Sequence, residues 1–565
     1  MTPLKKYLLG GLGLILLLLC SLYLVPMGRY LPEVEKQLSQ KLHVPSKITA
    51  LNLAPFPLPH LEVHGIELGG TGGIGIQTLS VTPNLFSLLS PQIQISEIKL
   101  SHVKLNYAVL QEILAAQQAN AHQEKASVYL RVLRAEDVTV NMPGLSIPDV
   151  ALKVTLKEDG NPEEIWLAQD KEHVTLTLQA QAPRRFSLHL TGKAWTLPIG
   201  PARTLDEINM TGVLTDHDLD SPDFYVRMDD AKVEGKLKLL FGRTWQLSGE
   251  ISNLLLPLEQ FGKKREKPIE MQGELTVKGT FSAQANSAAG LKEALRFNGE
   301  LDGDSVQVRI ASAATQLLQL EDLAAKVSVQ NNHLQLNDFQ AKMYSGTLQG
   351  KVDLALMEQN MHAELALAKI DLQPLVAALS NQILFSGSLD GKARVQLALG
   401  KMDTFPQQAN IQGDFLLQKG VLSKVNLAQA AQITATAPAD APSTTEFEAF
   451  SGNAQIDATG YHFRQLELSS GVLRAQGEVD MALDKQLSGS IEVALKNTLG
   501  MVNVPLVLSG TLDQPGVAPS AGFVAGAAVG TAVLPGVGTV VGMKVGGLLH
   551  KLFDGGKAQS AVPAQ

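Results

Sequence analysis

Cysteine is almost missing from this chain: Cys20 is the one example in 565 residues, and it sits inside an N-terminal apolar run. A lone thiol excludes an internal disulfide, so packing and backbone ladders must hold the fold, which is compatible with an oxidising compartment. Aromatic residues are scarce at 5%, which leaves Leu, Val, Ile and Ala to build the apolar surface. Positive charge is also short. A net charge of −8 excludes the dense positive field that a nucleic-acid binder needs to displace counterions from phosphates. Charged residues reach only 18% against 45% hydrophobic, so the chain is core-forming and not disordered.

The body lacks any central run long enough to cross a bilayer, and the exception at the N-terminus sets the topology. Lys5 and Lys6 precede an apolar run from Leu8 to Val25, and about 18 residues at ~1.5 Å each approach the ~30 Å hydrocarbon thickness. A cleaved signal peptide has a shorter apolar region, ~7–15 residues, ending in small residues. Leu22-Tyr23-Leu24-Val25-Pro26 has no such site. Leu17-Leu18-Leu19-Cys20 places a large residue where a lipoprotein box needs a small one, and the run continues past Cys20. The expectation is an uncleaved anchor within residues 1–28, with Leu8, Leu14, Leu17, Leu22 and Val25 in lipid. The two lysines place the N-terminus in the cytoplasm and the body on the other side.

Between anchor and tail the hydrophobic period is mostly two. Val34, Leu38 and Leu42 in LPEVEKQLSQKL form one helical stripe, stopped by Pro45, and a second helix is expected from about Val109 to Lys125. Elsewhere apolar and polar residues alternate, as in an antiparallel sheet wetted on one side. Val174, Leu176 and Leu178 share a face in VTLTLQA, Val352, Leu354 and Leu356 in KVDLAL, and Val395, Leu397 and Leu399 in GKARVQLAL. FNGELDG at Phe297, YSGTLQG at Tyr344 and FSGSLDG at Phe385 repeat one pattern, suggesting a supersecondary unit used again. After Pro519 the character changes: Gly522, Gly526 and Gly530, then Gly538, Gly542 and Gly546 beyond Leu534-Pro535, are spaced by four. Such stripes let helices approach closely. The expectation is a helical hairpin around Pro535 that dips into a bilayer or packs on a partner, the alternative being a helix pair that caps the β body. The expected division is 1–28 anchor, 29–290 N-terminal β region with short helices, 291–518 repeated C-terminal β region, and 519–565 glycine-zipper tail.

No catalytic, cofactor or metal constellation stands out. Gly70, Gly72 and Gly75 match GxGxxG, but IGIQTLSV follows and reads as strand, whereas a dinucleotide loop must open a helix. His60 and His64 flank Glu62 on a segment that alternates as a strand, where the two histidines are expected far apart. The carboxylates of DHDLDSPD, from Asp216 to Asp223, lack the Gly and terminal Glu of a calcium loop and read as a solvated loop. KKREK at Lys263 reads as an exposed turn.

Several segments carry a resemblance. ITALNLAPFPLPHLEVHGIELGG from Ile48, ISEIKLSHVKLNY from Ile95, YSGTLQGKVDLAL from Tyr344 and KIDLQPLVAALSNQILFSGSLDGKARVQLALGKM from Lys369 resemble, in this order, AsmA-like bacterial envelope proteins. GDFLLQKGVLSKVNLAQ from Gly413, LELSSGVLRAQGEVDMAL from Leu466 and VPLVLSGTLDQPGVAP from Val504 extend the resemblance. Asn426 stands where the family's aspartate is expected. The resemblance implies a mainly β fold, a long twisted antiparallel sheet curled into a groove like that of bridge-like lipid-transfer proteins. It implies a cell inner-membrane protein with its bulk in the periplasm, contributing to phospholipid transport to the outer membrane. The nine aliphatic residues from Val174 to Leu399 would then line the groove. Expected partners are phospholipids, the inner membrane and, through the tail, the outer membrane or an envelope protein; nucleic acid is not among them. The alternative is a non-catalytic assembly factor that binds outer-membrane proteins through exposed β edges.

Overall fold

The computed structural model describes residues 27–525, apart from 56–57, 71, 88–92, 120–127, 143–144, 198–202, 260–269, 310–316, 380–383, 400–406, 433–442, 472 and 498–499. The anchor positions Leu8, Leu14, Leu17, Leu22 and Val25, the KKREK segment, and Gly526, Gly530, Gly538, Gly542 and Gly546 lie outside the described residues. Gly522 falls within a helical turn over 521–525. No helix among the described residues is long and apolar enough to cross a membrane.

The chain is mainly β, with 27 strands among the described residues and few helices. It divides into two compact units, one running to Asn253 with residues 284–288 and one from Leu254 with the remainder. In the first unit the helix Leu31–Leu42 begins where the spacing places it, and His43 ends it in the left-handed conformation with φ 56°. Val34, Leu38 and Leu42 pack on Val44, Ile48, Leu51, Val63 and Ile66. Backbone N–H groups of the first strand, Ser46–Ala54, are answered by the helix: Ser46 donates to Ser39 Oγ at 3.0 Å and Ile48 to Glu35 Oε1 at 2.7 Å. Helix and strand therefore run antiparallel, joined by the left-handed turn.

From Ser46 to Leu240, and from Met271 to Pro519, the paired strands are chain neighbours in antiparallel register, with one exception. Ile93–Asn106 and Val128–Met142 are parallel, Ile93 opposite Val128 and Asn106 opposite Asn141. A parallel pair needs a crossover, and the helix Tyr107–Ala119 supplies it. The expectation of antiparallel pairing throughout is corrected here; of the second expected helix, the part beyond Ala119 lies outside the described residues.

The FNGELDG-type motifs each open a strand, Arg296–Val308, Gly346–Ala355 and Phe385–Ala398. Two strands separate the first pair of motif strands and one separates the second pair, so the motif is not one supersecondary unit repeated. In the second and third motifs the last glycine has a local cause. A Cβ on Gly350 would stand 2.0 Å from the Glu364 carbonyl oxygen, and on Gly391 2.5 Å from that of Asp414.

Strand alternation is interrupted inside strands. Asp322, Asp338, Lys369, Lys419 and Gln465 have φ between 49° and 54°, and each sits at a shift in register. Each is an extra residue that bends its strand and returns the next apolar side chain to the same face. Lys342 Nζ reaches Asp322 at 2.6 Å and Lys326 Nζ reaches Asp338 at 2.8 Å, so opposite charges brace two of the bulges.

The tightest packing in the second unit lies at its C-terminal end, where Val493, Val504, Leu506 and Phe523 are buried. Leu506→Ala is expected to cost about 2–5 kcal/mol, the range for a cavity in a well-packed core, and to lower the urea midpoint followed by circular dichroism. Leu356→Ala, at a position 41% exposed, should leave the midpoint within about 0.5 kcal/mol of wild type.

Candidate functional site

The apolar face of the second unit is built row by row. Val352 lies opposite Ala363, Ala363 opposite Val395, and Val395 opposite Ile411. The row continues through Ile456, Tyr461, Met481 and Leu487. Six residues along most of these strands, Leu389, Leu417, Phe450, Leu468, Ala475, Val493 and Val504 make a second row on the same face. Cross-strand partners on one face touch directly, so an apolar row is a continuous stripe across the ladder.

Toward the C-terminus these stripes form the walls of a cavity of about 530 Å³, lined almost wholly by aliphatic and phenylalanine side chains. Phe450 stands at its centre, stacked on Phe385 at 5.8 Å and edge-on to Phe415 at 5.4 Å and Phe447 at 5.8 Å. Gly452, opposite Phe415, leaves room for the ring, since a Cβ there would stand 2.6 Å from Leu466 Cδ2 and 3.2 Å from Phe415 Cζ. Leu372 and Val376, from the helix Leu372–Leu379, complete one side.

A single helical turn, Leu427–Ala430, closes another side and packs on the strands Leu487–Asn497 and Pro515–Pro519. It follows the strand Ala409–Ser423, so the apolar face curls enough for strands far apart in the ladder to meet the same turn. The turn is pinned. Thr445 Oγ1 donates to the Val425 carbonyl at 2.7 Å and accepts from the Leu427 N–H at 2.9 Å. Asn426 Oδ1 accepts from the Gln429 N–H at 2.9 Å as a helix N-cap. Asn and Asp cap helices about equally well, so asparagine at this position keeps the turn that an aspartate would make.

None of the nine aliphatic residues singled out by alternation lines this cavity. Val352 and Val395 lie on the stripe that enters it at Tyr461, Met481 and Leu487, while Leu354 and Leu397 flank Met361 on the neighbouring stripe. All four are half-buried. Leu356 and Leu399 fall just beyond their strand ends. Val174, Leu176 and Leu178 belong to the first unit, Val174 and Leu178 buried and Leu176 between Leu167 and Leu190. Sequence reasoning missed the whole lining and, with it, the cluster of Phe385, Phe415, Phe447 and Phe450 on which the lining is built. Their signal was local enrichment in an aromatic-poor chain, Phe447 and Phe450 within four residues and Phe385 and Phe415 each heading an alternating segment.

Other features resolve differently from expectation. DHDLDSPD is not a loop: Asp218 begins the strand Asp218–Met228, where Asp218 and Asp220 lie 3.8 and 3.5 Å from Lys238 Nζ. His60 and His64 are not separated, because both lean to Glu62, at 3.0 and 3.4 Å. Gly70 and Gly72 lie between the strands His60–Leu68 and Ile74–Pro83, with no helix after them. Among the described residues no cluster of three His, Cys, Asp or Glu is placed to hold a metal ion.

The opposite face of the ladder is charged. Lys351 pairs with Glu364 at 3.2 Å, and Asp480 takes Arg464 and His462 at 2.6 Å each. Hydrogen bonds from His333 and Gln335 hold the Asp353 carboxyl below its ordinary range. For Asp480 burial pushes upward, but the bonds from Arg464 and His462 outweigh it and the carboxyl is lowered.

The second unit is thus a β ladder with one charged face and one aliphatic face, curled at its end round an apolar cavity. Residues 1–158 and 204–460 match the AsmA family, more than half of the chain, and the chain belongs to that family. A search of curated proteins returned no match.

A carboxyl lowered on folding contributes stability above its unfolded value of about 3.9 and loses it as pH falls through the lower folded value. Asp480→Asn should therefore lower the urea midpoint at pH 7 by no more than about 1 kcal/mol, given solvent screening. The gap to wild type should narrow steadily as pH falls below about 4; a gap that stays constant or widens on acidification contradicts the pairing.

Proposed function

We propose that this chain is an inner-membrane-anchored periplasmic protein that takes acyl chains onto the apolar face of its β ladder. It contributes thereby to phospholipid transport to, or homeostasis of, the outer membrane, and it does so without catalysis. The cavity of about 530 Å³ around Phe450 carries the reading. Its size falls within the ~300–1,000 Å³ of small-molecule sites, yet it offers hardly any polar group to orient a ligand, as suits an acyl chain. Each methylene removed from water contributes about 0.8 kcal/mol, while a headgroup stays hydrated at the open rim. Family membership and the lysine-flanked apolar run before Val25 support the membrane setting.

Assembly by strand addition is less well supported. At the first strand, Ser46 and Ile48 already give their N–H groups to the helix Leu31–Leu42. The last strand, Pro515–Pro519, is five residues long and carries two prolines. Short, proline-bearing or covered edges resist pairing with another chain.

Photocrosslinking in cells tests the proposal. A photoreactive residue in place of Val395 or Tyr461 should yield phospholipid adducts, while one at Gln396 or Gln455, on the charged face, should not. In purified full-length protein Phe450→Asp should cut co-purifying phospholipid at least severalfold. Absence of adducts at both apolar positions would exclude a lipid-holding face.

A further inference from the structure

One edge of the first unit carries large apolar side chains in water, and a polar clasp holds them there. The strands Ser46–Ala54, His60–Leu68, Ile74–Pro83 and Ile93–Asn106 are paired so that Ala54, His60, Val81 and Ile95 lie at the same end. The two connections at that end present Leu58, 54% exposed, and Phe86, 89% exposed, with Leu85 and Ile93 beside them. Phe86 is not loose. Its N–H donates to Asn84 Oδ1 at 3.1 Å, Asn84 Nδ2 donates to Gln94 Oε1 at 3.0 Å, and the Gln94 N–H donates to Ser87 Oγ at 2.9 Å. The Asn84 N–H closes the turn on the Gln94 carbonyl at 2.8 Å. Polar groups of the turn thus satisfy one another, and the phenylalanine is the part left facing solvent, the reverse of a turn built for water.

The chain reaches this same edge from its N-terminus. Ser39 meets Ser46 and Glu35 meets Ile48, so going back along the helix leads forward along the first strand. The short 3-10 turn Met27–Tyr30 packs on that strand, and Met27 and Leu31 join its apolar cluster. The apolar run Leu8 to Val25 is followed by Pro26 and then Met27. Tyr30, 59% exposed, is an aromatic residue of the kind enriched where a chain leaves a bilayer.

We propose that this edge is a bilayer-docking surface, in which Phe86, Leu58 and Tyr30 enter the interface of the same membrane that receives the N-terminal apolar run. Apolar side chains in such contacts lie at the boundary of headgroups and acyl chains. With three points besides the anchor, the first unit is held edge-on to the lipid surface and its strands rise from it, rather than swinging on a single tether. The inference rests on the anchor reading given under Proposed function, and the test separates the two.

Full-length protein is incorporated into nanodiscs whose phospholipids carry bromine on the acyl chains, which quenches nearby indoles. Phe86→Trp and Leu58→Trp are compared with wild type, which has three tryptophans of its own, and with Tyr107→Trp. Tyr107 is 40% exposed and follows Asn106 at the opposite edge. The expected result is extra quenching for Phe86→Trp and Leu58→Trp and none for Tyr107→Trp. Protein seated in discs without extra quenching at 86 and 58, or with equal quenching at 107, overturns the docking surface and leaves the anchor standing. Failure of the full chain to co-elute with discs, read before any fluorescence, overturns the anchor and the docking with it.

Discussion

A β strand has two faces, and a meander of strands must find cover for the apolar one. In this protein the paired strands of each unit are chain neighbours, and the aliphatic stripes of the second unit are only half-buried over much of their length. Complete burial is reached where helical segments and curling supply the second layer, around Phe523, Leu506 and Ile370. The rest of the architecture follows from this shortage of cover. Burial contributes about 25 cal/mol per Å² of apolar surface, so a stripe left half-open keeps a driving force for further cover.

Much of the fold was legible because its signals are local. Val34, Leu38 and Leu42 repeat at helical spacing, and VTLTLQA or GKARVQLAL alternate as only strands do. What stayed hidden depends on register. Asp338 and Lys369 break the alternation by one residue, yet the cause lies across the ladder, where two residues face one. The parallel pairing of Ile93–Asn106 with Val128–Met142 depends on how far a helix carries the chain, not on the pattern in either strand. DHDLDSPD reads as a loop because carboxylates crowd it, but Lys238 on the next strand pairs with Asp218 and Asp220, and Arg184 in a neighbouring turn pairs with Asp216.

The candidate site was the least legible part. Alternation identifies which residues share a face, and in this chain dozens do. It cannot say where that face deepens. The cavity depends on phenylalanines from three strands converging on Phe450, on glycine opposite Phe415, and on a one-turn helix pinned by Thr445. These residues are scattered from Phe385 to Phe450 and share no motif. Asn426 shows the complementary case. It departs from the aspartate expected of the family, and the geometry shows a cap that either side chain can make.

The two faces of the second unit also differ in what they specify. On the charged face, pairs such as Lys351–Glu364 and Arg464–Asp480 form only in one register, because a slip of one residue turns every side chain to the other side. Exposed pairs contribute little stability individually, but a shifted ladder would place like charges opposite one another and bury others. The aliphatic face resists that slip as well, since it would turn Val352, Val395 and Ile411 to water. A slip of two residues keeps the faces and exchanges one apolar partner for another, whereas on the charged side it breaks the pairs just named. The wet side thus adds the finer discrimination, while the dry side runs apolar from Val352 to Met481, with Tyr461 bringing one hydroxyl. Such a row presents an apolar side chain at every strand it crosses, so the charged face is where one register is told from another.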